Sequence, residues 1–475
     1  MKLAIVGGGA SAFYVASRLL SRLPQDAHRI HVFDRLWAPH GLVRYGVAPD
    51  HPEVKNCTHK FDHTATDPRF RFFGNVNIQH QSEQMNVIQH AVQLPLSSLY
   101  ANYTHLLFAS GCPLPTLHPA LPPSSHCIPA LNVVHWYTQH PSLPAVPPLE
   151  RLKHVTLIGN GNVSLDVARM LLTPPDMLRP YDVPESVMSV LERSTIEHVS
   201  IVARRGPFDA AFTTKELREM MNIRDASMAP IPPELLVVPT GKEVSRAQSR
   251  SIQLMQKGSK NPYGSTKKTW SLEFFRSPVG LASEDPLGPA ELSLAHTTID
   301  PANPRRAIPT GETSRLSTDL VITSLGFHAD DSSSPFHDSS LGHLRTEAGR
   351  VIVPDLPGGK DLVSGSVLKN MYASGWASMG AKGVLAATMM DAYAVADTIL
   401  SDLDHGDASE GVSLMNPNPH PTNPPPEIDA AAGSVVGYED WKKIDQEEIS
   451  RGESLGKERT RMGWQEAREL LGRTT

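Results

Sequence analysis

The sequence predicts an α/β fold built on two dinucleotide-binding units, and three features carry that prediction. Lys2-Leu-Ala-Ile-Val6 is a short apolar run suited to a buried parallel strand, and Gly7-Gly-Gly-Ala-Ser-Ala12 follows it as a tight turn of small residues. The same grammar returns at Val155-Thr-Leu-Ile158 and Gly159-Asn-Gly-Asn-Val-Ser164. The units then end differently: the second strand of the first closes on Asp34, and that of the second on Arg204-Arg205.

Composition limits what such a chain can be. Its 475 residues suffice for two or three domains with sizeable cores, with 40% hydrophobic and 20% charged residues. A net charge of −6 argues against general nucleic-acid or membrane binding. No apolar run approaches the roughly 20 residues that span a bilayer. Cys57, Cys112 and Cys127 lie far apart and form no C-x-x-C, which argues against a dithiol centre and against zinc or Fe–S ligation by this chain. No metal-ligand set is read. The reading implies a reducing compartment, and the first residues enter a strand directly, with no Arg-rich presequence.

Each element follows from local residues. After the first turn, Phe13 to Leu20 reads as a helix with apolar residues at Phe13, Ala16, Leu19 and Leu20. Gly7 and Gly9 let backbone approach a pyrophosphate, and the helix N-terminus offers it N–H donors and positive potential. Ile30 to Phe33 is the next strand, and Asp34 comes 27 residues after Gly7. An acid there accepts hydrogen bonds from ribose hydroxyls and repels a 2′-phosphate, which suits the adenosine of FAD or NAD. Leu106-Leu-Phe-Ala109 is a third strand, ending at Ser110-Gly111. Pro113 to Pro148 reads as a meandering connection, in a chain where 41 residues are proline.

In the second unit Leu165 to Leu172 reads as the helix and Val199 to Ala203 as the strand that runs into Arg204-Arg205-Gly206. Arginine forks match the dianionic 2′-phosphate of NADP through charge-assisted hydrogen bonds. The pairing predicts a flavoenzyme that takes hydride from NADPH. Lys257 to Thr269 reads as an exposed loop, Leu320 to Thr323 as a further strand, and Asn416 to Glu427 as a Pro-rich extended linker.

The chain also resembles a known family. Gly41-Leu-Val-Arg-Tyr-Gly-Val-Ala-Pro-Asp-His-Pro-Glu-Val-Lys-Asn56 is similar to the signature of the adrenodoxin reductase family, the mitochondrial-type ferredoxin–NADP reductases. So are Gly161-Asn-Val-Ser-Leu-Asp-Val-Ala-Arg169, Arg204-Arg-Gly-Pro207, Ala211 to Met220, Phe274-Phe-Arg-Ser-Pro278 and the tail from Tyr438 to Lys457. The resemblance covers almost the whole chain in family order. It implies an NADP domain (113–327) inserted into a discontinuous FAD domain (1–112 and 328–475). It implies FAD contacts at Ser11, Asp34, Leu42, Ile78, Trp376, Gly383, Val384 and Leu385, beside the turn glycines Gly7 and Gly9. It implies NADP contacts at Asn160, Gly161, Asn162, Val163, Arg204, Arg205, Glu216 and Gly383. His51 and Glu219 match positions at the nicotinamide–flavin junction, where a polar pair can order water or relay a proton.

NADPH gives up two electrons together, whereas a 2Fe–2S ferredoxin accepts one, so a flavin between them is physically required. The implied activity is therefore NADPH:ferredoxin oxidoreduction. The implied partner is an acidic, adrenodoxin-like 2Fe–2S ferredoxin meeting a monomer at a basic surface. Arg246, Arg250, Lys257, Lys260, Lys267 and Lys268 cluster in one segment, and Arg246, Arg250 and Lys257 match the family's partner-binding region. The family places the protein in the mitochondrial matrix, with a bacterial-type cytoplasmic alternative.

The sequence departs from the family in three places. The usual G-W-x-K-x-G-P-T-G-V-I loop is Gly375-Trp-Ala-Ser-Met-Gly-Ala-Lys-Gly-Val-Leu385 here, the third turn glycine is Ala12, and Ser164 replaces an alanine. The alternatives are another NADPH-oxidising flavoprotein of the glutamate-synthase small-subunit type, or a flavoprotein-like binding protein whose redox site has decayed. The former is expected to bring Cys-rich Fe–S segments, which this chain lacks.

Overall fold

A computed structural model describes residues 1–24, 28–80, 88–238, 241, 243–354, 363–405 and 412–473. Its first sheet has seven strands, in the order Thr346–Glu347, Arg350–Ile352, Val367–Ala373, His105–Phe108, Lys2–Val6, Arg29–Asp34 and Phe70–Gly74. The five from Val367–Ala373 onward are parallel, with Leu3 opposite both Ile30 and His105. Both faces of this sheet are covered, which explains the unbroken apolar run at its centre. Leu3, Ile5 and Leu107 pack with Phe13, Val15 and Ile399 on one side, and Ala4, Val6 and Phe108 with Phe33 and Met371 on the other.

The second sheet has six parallel strands, in the order Ala226–Met228, Lys268–Phe274, His198–Ala203, His154–Ile158, Leu320–Thr323 and Cys127–Pro129. A three-stranded antiparallel sheet, Arg276–Ala282, Ala290–Asp300 and Asn303–Thr318, adjoins it. The chain thus leaves the first sheet after Phe108, builds a second nucleotide domain and re-enters the first sheet at Thr346.

Both helices after the glycine turns begin earlier than their apolar spacing suggests. They span Ala10–Arg22 and Asn162–Leu172, because the small residues after Gly9 and Gly161 already form the first helical turn. The Pro-rich 416–427 segment is extended but tied down. Lys2 Nζ donates to the carbonyls of His420 (2.9 Å) and Asn423 (2.5 Å), the Asn416 amide bonds Tyr100 O, and a short helix opens at Pro426. Lys268, grouped by sequence with the exposed basic segment, is partly buried. Its ammonium bonds the carbonyls of Leu171 (3.2 Å) and Leu172 (3.4 Å), closing the end of the Asn162–Leu172 helix.

Candidate active site between two nucleotide cradles

The first cradle is set by two glycines with opposite demands. Gly7 has φ +102°, and a Cβ on it would stand 2.5 Å from the Ala109 carbonyl oxygen. Only glycine lets the turn close against the neighbouring strand end. Gly9 is extended, and a Cβ there would meet nothing within 4 Å, so this backbone faces open space. Gly9 also begins the Ala10–Arg22 helix with no side-chain cap, leaving the N–H groups of the first turn for an anion. The Ala12 methyl is fully buried in the hydrophobic core, so it fills space behind the turn and does not crowd the cradle.

Asp34 accepts from the amides of Gly8 (2.7 Å) and Leu36 (2.9 Å), which fixes its carboxylate beside the turn. Burial pushes its pKa up to about 6 against the pull of those two amides. The far segment of the first domain meets the same helix end. Ser11 Oγ is 2.7 Å from Ser374 Oγ, and Asp391 accepts from Ser374 Oγ (3.0 Å) and the Gly375 amide (2.6 Å). Ser11 therefore joins the two halves of the domain through its hydroxyl. Trp376 stacks on Phe327 at 6.1 Å and 14°, and its carbonyl accepts from Cys112 Sγ. Beyond Gly383 (φ +83°), Val384 is apolar yet exposed, and Leu385, which opens the Leu385–His405 helix, is partly buried against the core. Leu42 is likewise exposed, next to Gly41, whose Cβ would lie 3.1 Å from Gly9 Cα. An open backbone cradle flanked by uncovered apolar side chains fits a dinucleotide with a large aromatic end. Ile78 stands apart from this group, buried in the core with Val6, Phe33 and Phe73.

The second cradle repeats the design. Gly159 (φ +115°) would place a Cβ 2.2 Å from the Ser324 carbonyl oxygen, while Gly161 faces open space. Ser164 Oγ donates to Gly159 O at 2.7 Å, so the hydroxyl that replaces the usual methyl braces the turn. Asn162 Oδ1 accepts from the Thr213 amide at 2.8 Å, and Val163 is partly buried in the first helical turn. Asn160 Nδ2 is buried with no protein partner, as expected of a donor reserved for a ligand. At the next strand end Arg204 is exposed and Arg205 partly buried, and among the described residues neither guanidinium is bonded to a carboxylate. His118, which no sequence motif marks, lies near Arg204; burial and that charge lower its pKa.

Between the cradles lies a compact charge cluster. His51 Nε2 is 2.7 Å from Glu219 Oε2. Arg169 donates to Glu219 (3.1 Å), Glu216 (3.0 Å) and both oxygens of Asp50 (2.7 and 3.0 Å), and lies 2.9 Å from Asp166. Asp50 and His51 belong to the first domain, and the others to helices Asn162–Leu172 and Thr214–Met221 of the second. Burial disfavours the His51 cation, but the bond to Glu219 and the surrounding carboxylates hold its pKa above the usual value. The same bond, with the Arg169 charge, keeps Glu219 below its usual range despite burial. Burial and the Asp166 charge push Glu216 up to about 7, and burial raises Asp166. The donor atoms of His51, Glu216 and Glu219 lie within 4.8 Å of one another, a spacing a metal could use, but the Arg169 guanidinium already supplies the positive charge to both carboxylates.

Glu216 gives the cluster a measurable pH signature. The folded group keeps its proton up to about 7, whereas the unfolded chain releases it near 4.5. The folded state thus binds more protons in that window, and this group's contribution to stability falls as pH rises through it. Glu216→Gln removes the titration, so its melting temperature relative to the parent should climb between about pH 5 and about pH 8. A difference that does not change with pH contradicts the assignment.

The partner-binding residues lie elsewhere. Arg246, Arg250 and Lys257 are all exposed on helix Arg246–Lys257, whose N-terminus carries a Ser245/Gln248 capping box. Their spacing of four and seven residues puts them on one face.

Two cradles of opposite polarity, one closed by an acid and one by an arginine pair, define a two-nucleotide oxidoreductase. Comparison with known proteins agrees. A family model described as FAD-NAD(P)-binding matches residues 4–54. The chain is 34% identical over 485 residues to the mitochondrial NADPH:adrenodoxin oxidoreductase of Bos taurus, covering 99% of this chain and 92% of that protein. It is 31% identical over 467 residues to the NADPH-ferredoxin reductase FprA of Mycobacterium tuberculosis, covering 97% and 96%. The structure of FprA in complex with NADPH superposes with a TM-score of 0.81 at 29% identity, covering 99% of each chain. The chain belongs to the adrenodoxin reductase family and is an oxidoreductase that uses FAD and NADP. No helix among the described residues is long and apolar enough to cross a membrane.

Proposed function

We propose that this protein passes electrons from NADPH through FAD, one at a time, to an acidic 2Fe–2S ferredoxin. The observation that carries the reading is the asymmetry of the cradles: Asp34 beside the first, and Arg204 with Arg205, bonded to no carboxylate among the described residues, beside the second. FAD, when bound, supplies the capacity to take two electrons together and release them singly. The chain's own residues do the rest. Gly7, Gly9 and Ser11 with the helix they open hold the pyrophosphate of FAD, and Asp34 takes its ribose. Leu42, Trp376, Gly383, Val384 and Leu385 enclose its aromatic end. Asn160, Gly161, Asn162 and Val163 hold the pyrophosphate of NADP, Arg204 and Arg205 its 2′-phosphate, and Glu216 with Gly383 lies towards the nicotinamide. His51 holds a proton at Nε2 against Glu219 at the junction, where it orders water beside the reacting rings.

Relatives named as mitochondrial in animals support a mitochondrial matrix location, and the mycobacterial relative supports a bacterial cytoplasm; a fluorescent fusion in the source cell separates these. The exposed face of Arg246, Arg250 and Lys257 supports electrostatic docking of the acceptor. Cytochrome c reduction by NADPH should depend on added ferredoxin and fall as salt rises. Arg250→Glu should raise the KM for ferredoxin by about ten-fold, roughly the effect of one reversed rim charge, and leave flavin reduction by NADPH unchanged. Equal rates with and without ferredoxin would sink the reading.

A further inference from the structure

The signature stretch 41–56 does more than follow the first cradle. Four of its side chains cross to the second domain: Asp50 to Arg169 (2.7 Å), His51 to Glu219 (2.7 Å), Glu53 to Lys215 (2.8 Å) and Lys55 to Asp182 (3.2 Å). The C-terminal segment reaches the same seam from the other side. Lys457 Nζ bonds Glu185 at 2.6 Å, and the Glu458 amide bonds Pro180 O at 2.9 Å. Arg461, with its side chain 1% exposed, is the node of this strap. Its Nε and Nη2 take the two oxygens of Asp182 at 2.9 and 2.5 Å, Nη2 also donates to Arg44 O at 2.8 Å, and Nη1 donates to Thr138 O.

The strap is anchored at its root in the first domain. Glu448, fully buried on the Tyr438–Ser454 helix, accepts from both terminal nitrogens of Arg44 (2.9 and 2.7 Å) and from the Met462 amide (3.0 Å). One guanidinium therefore ties together the signature stretch, the end of the Ala130–Tyr137 helix and the 179–184 loop of the second domain. Charge balance favours the arrangement: Arg461 and Lys55 hold the Asp182 carboxyl far below its usual range despite burial.

We propose that Arg461 is a positioning residue for hydride transfer: through Asp182, Thr138 and Arg44 it fixes the angle between the two nucleotide domains. The inference rests on the two-nucleotide reading above. Hydride transfer needs the donor and acceptor rings within a near-attack distance, and a misplacement of about 1 Å costs up to about 100-fold in rate. Arg461 bonds none of the residues assigned above to either nucleotide, so it acts on the chemical step through the two domains it joins.

Arg461→Lys tests this. Lysine keeps the charge opposite Asp182, but its single nitrogen with three N–H donors cannot reproduce four bonds made from three separated nitrogens. FAD content and NADP affinity should match the parent, while flavin reduction by NADPH slows by about 10- to 100-fold. Reduction by dithionite, which needs no second domain, should keep its rate. Spin labels at Arg22→Cys and Arg193→Cys in a Cys57→Ser background report the domains directly, without nucleotide, and their distance distribution should broaden. An unchanged NADPH rate with an unchanged distance distribution overturns the proposal, as does equal slowing with dithionite. Should Arg461→Lys lose flavin, Glu185→Gln loosens the same strap at its half-exposed edge, and slowing there supports the proposal while an unchanged rate overturns it. A parent enzyme whose flavin NADPH does not bleach contradicts the proposed donor instead, and the label distances still decide the role of Arg461.

Discussion

Gly7→Ala should give a protein that is markedly less stable and retains little flavin. Two causes add. Alanine at φ +102° costs about 1–2 kcal/mol for the left-handed backbone. Its Cβ would also stand 2.5 Å from the Ala109 carbonyl oxygen and 2.7 Å from Ser110 Cα, a clash with rigid backbone. Overpacking of that kind costs about 1–3 kcal/mol, so the combined loss is about 2–5 kcal/mol. Gly9→Ala is the informative contrast, because its Cβ meets no protein atom and its backbone is ordinary extended chain. Its apoprotein should melt with the parent, yet bind FAD more weakly, since the added methyl enters the open space proposed for the pyrophosphate. Equal FAD affinity in Gly9→Ala, measured by flavin fluorescence titration, would show that the first cradle holds something else.

Arg204→Ala and Arg205→Ala should each weaken NADP binding by about ten- to a hundred-fold while leaving NAD binding nearly unchanged. A hydrogen bond to a charged group contributes about 1.5–3 kcal/mol, and the two arginines follow one another at one strand end with no carboxylate among the described residues bonded to them. The double variant should bind NADP and NAD alike. Isothermal titration with each nucleotide checks this, and a retained preference in the double variant assigns 2′-phosphate recognition to other residues.

What could be read from the sequence was what is local in it. The paired turns, Asp34 and Arg204-Arg205 are contiguous with the strands that carry them, so periodicity and turn chemistry suffice to find them. The helices start at Ala10 and Asn162, ahead of the apolar periodicity, because that periodicity begins only where side chains reach the core. The Arg169 hub was beyond reach for a different reason. Asp50 and Arg169 both sit in quoted motifs, but they are 119 positions apart, and nothing in either motif says that they meet. Arg461 and Asp182, 279 apart, show the same limit. Lys268 marks a third: in a run of basic residues it reads as surface, and only the packed helix end reveals that it caps carbonyls. Ala12, a departure from the family's glycine, is explained by packing, since its methyl completes the core behind the turn.

The most direct measurement is anaerobic titration of the purified, flavin-loaded protein with NADPH and, separately, NADH, followed by flavin absorbance. Bleaching by NADPH should be rapid and stoichiometric and that by NADH far slower, given the proposed selection of the 2′-phosphate by Arg204 and Arg205 and the joining of the two domains through Arg169. Equal bleaching by both nucleotides, or a flavin that NADPH leaves oxidised, would contradict this account.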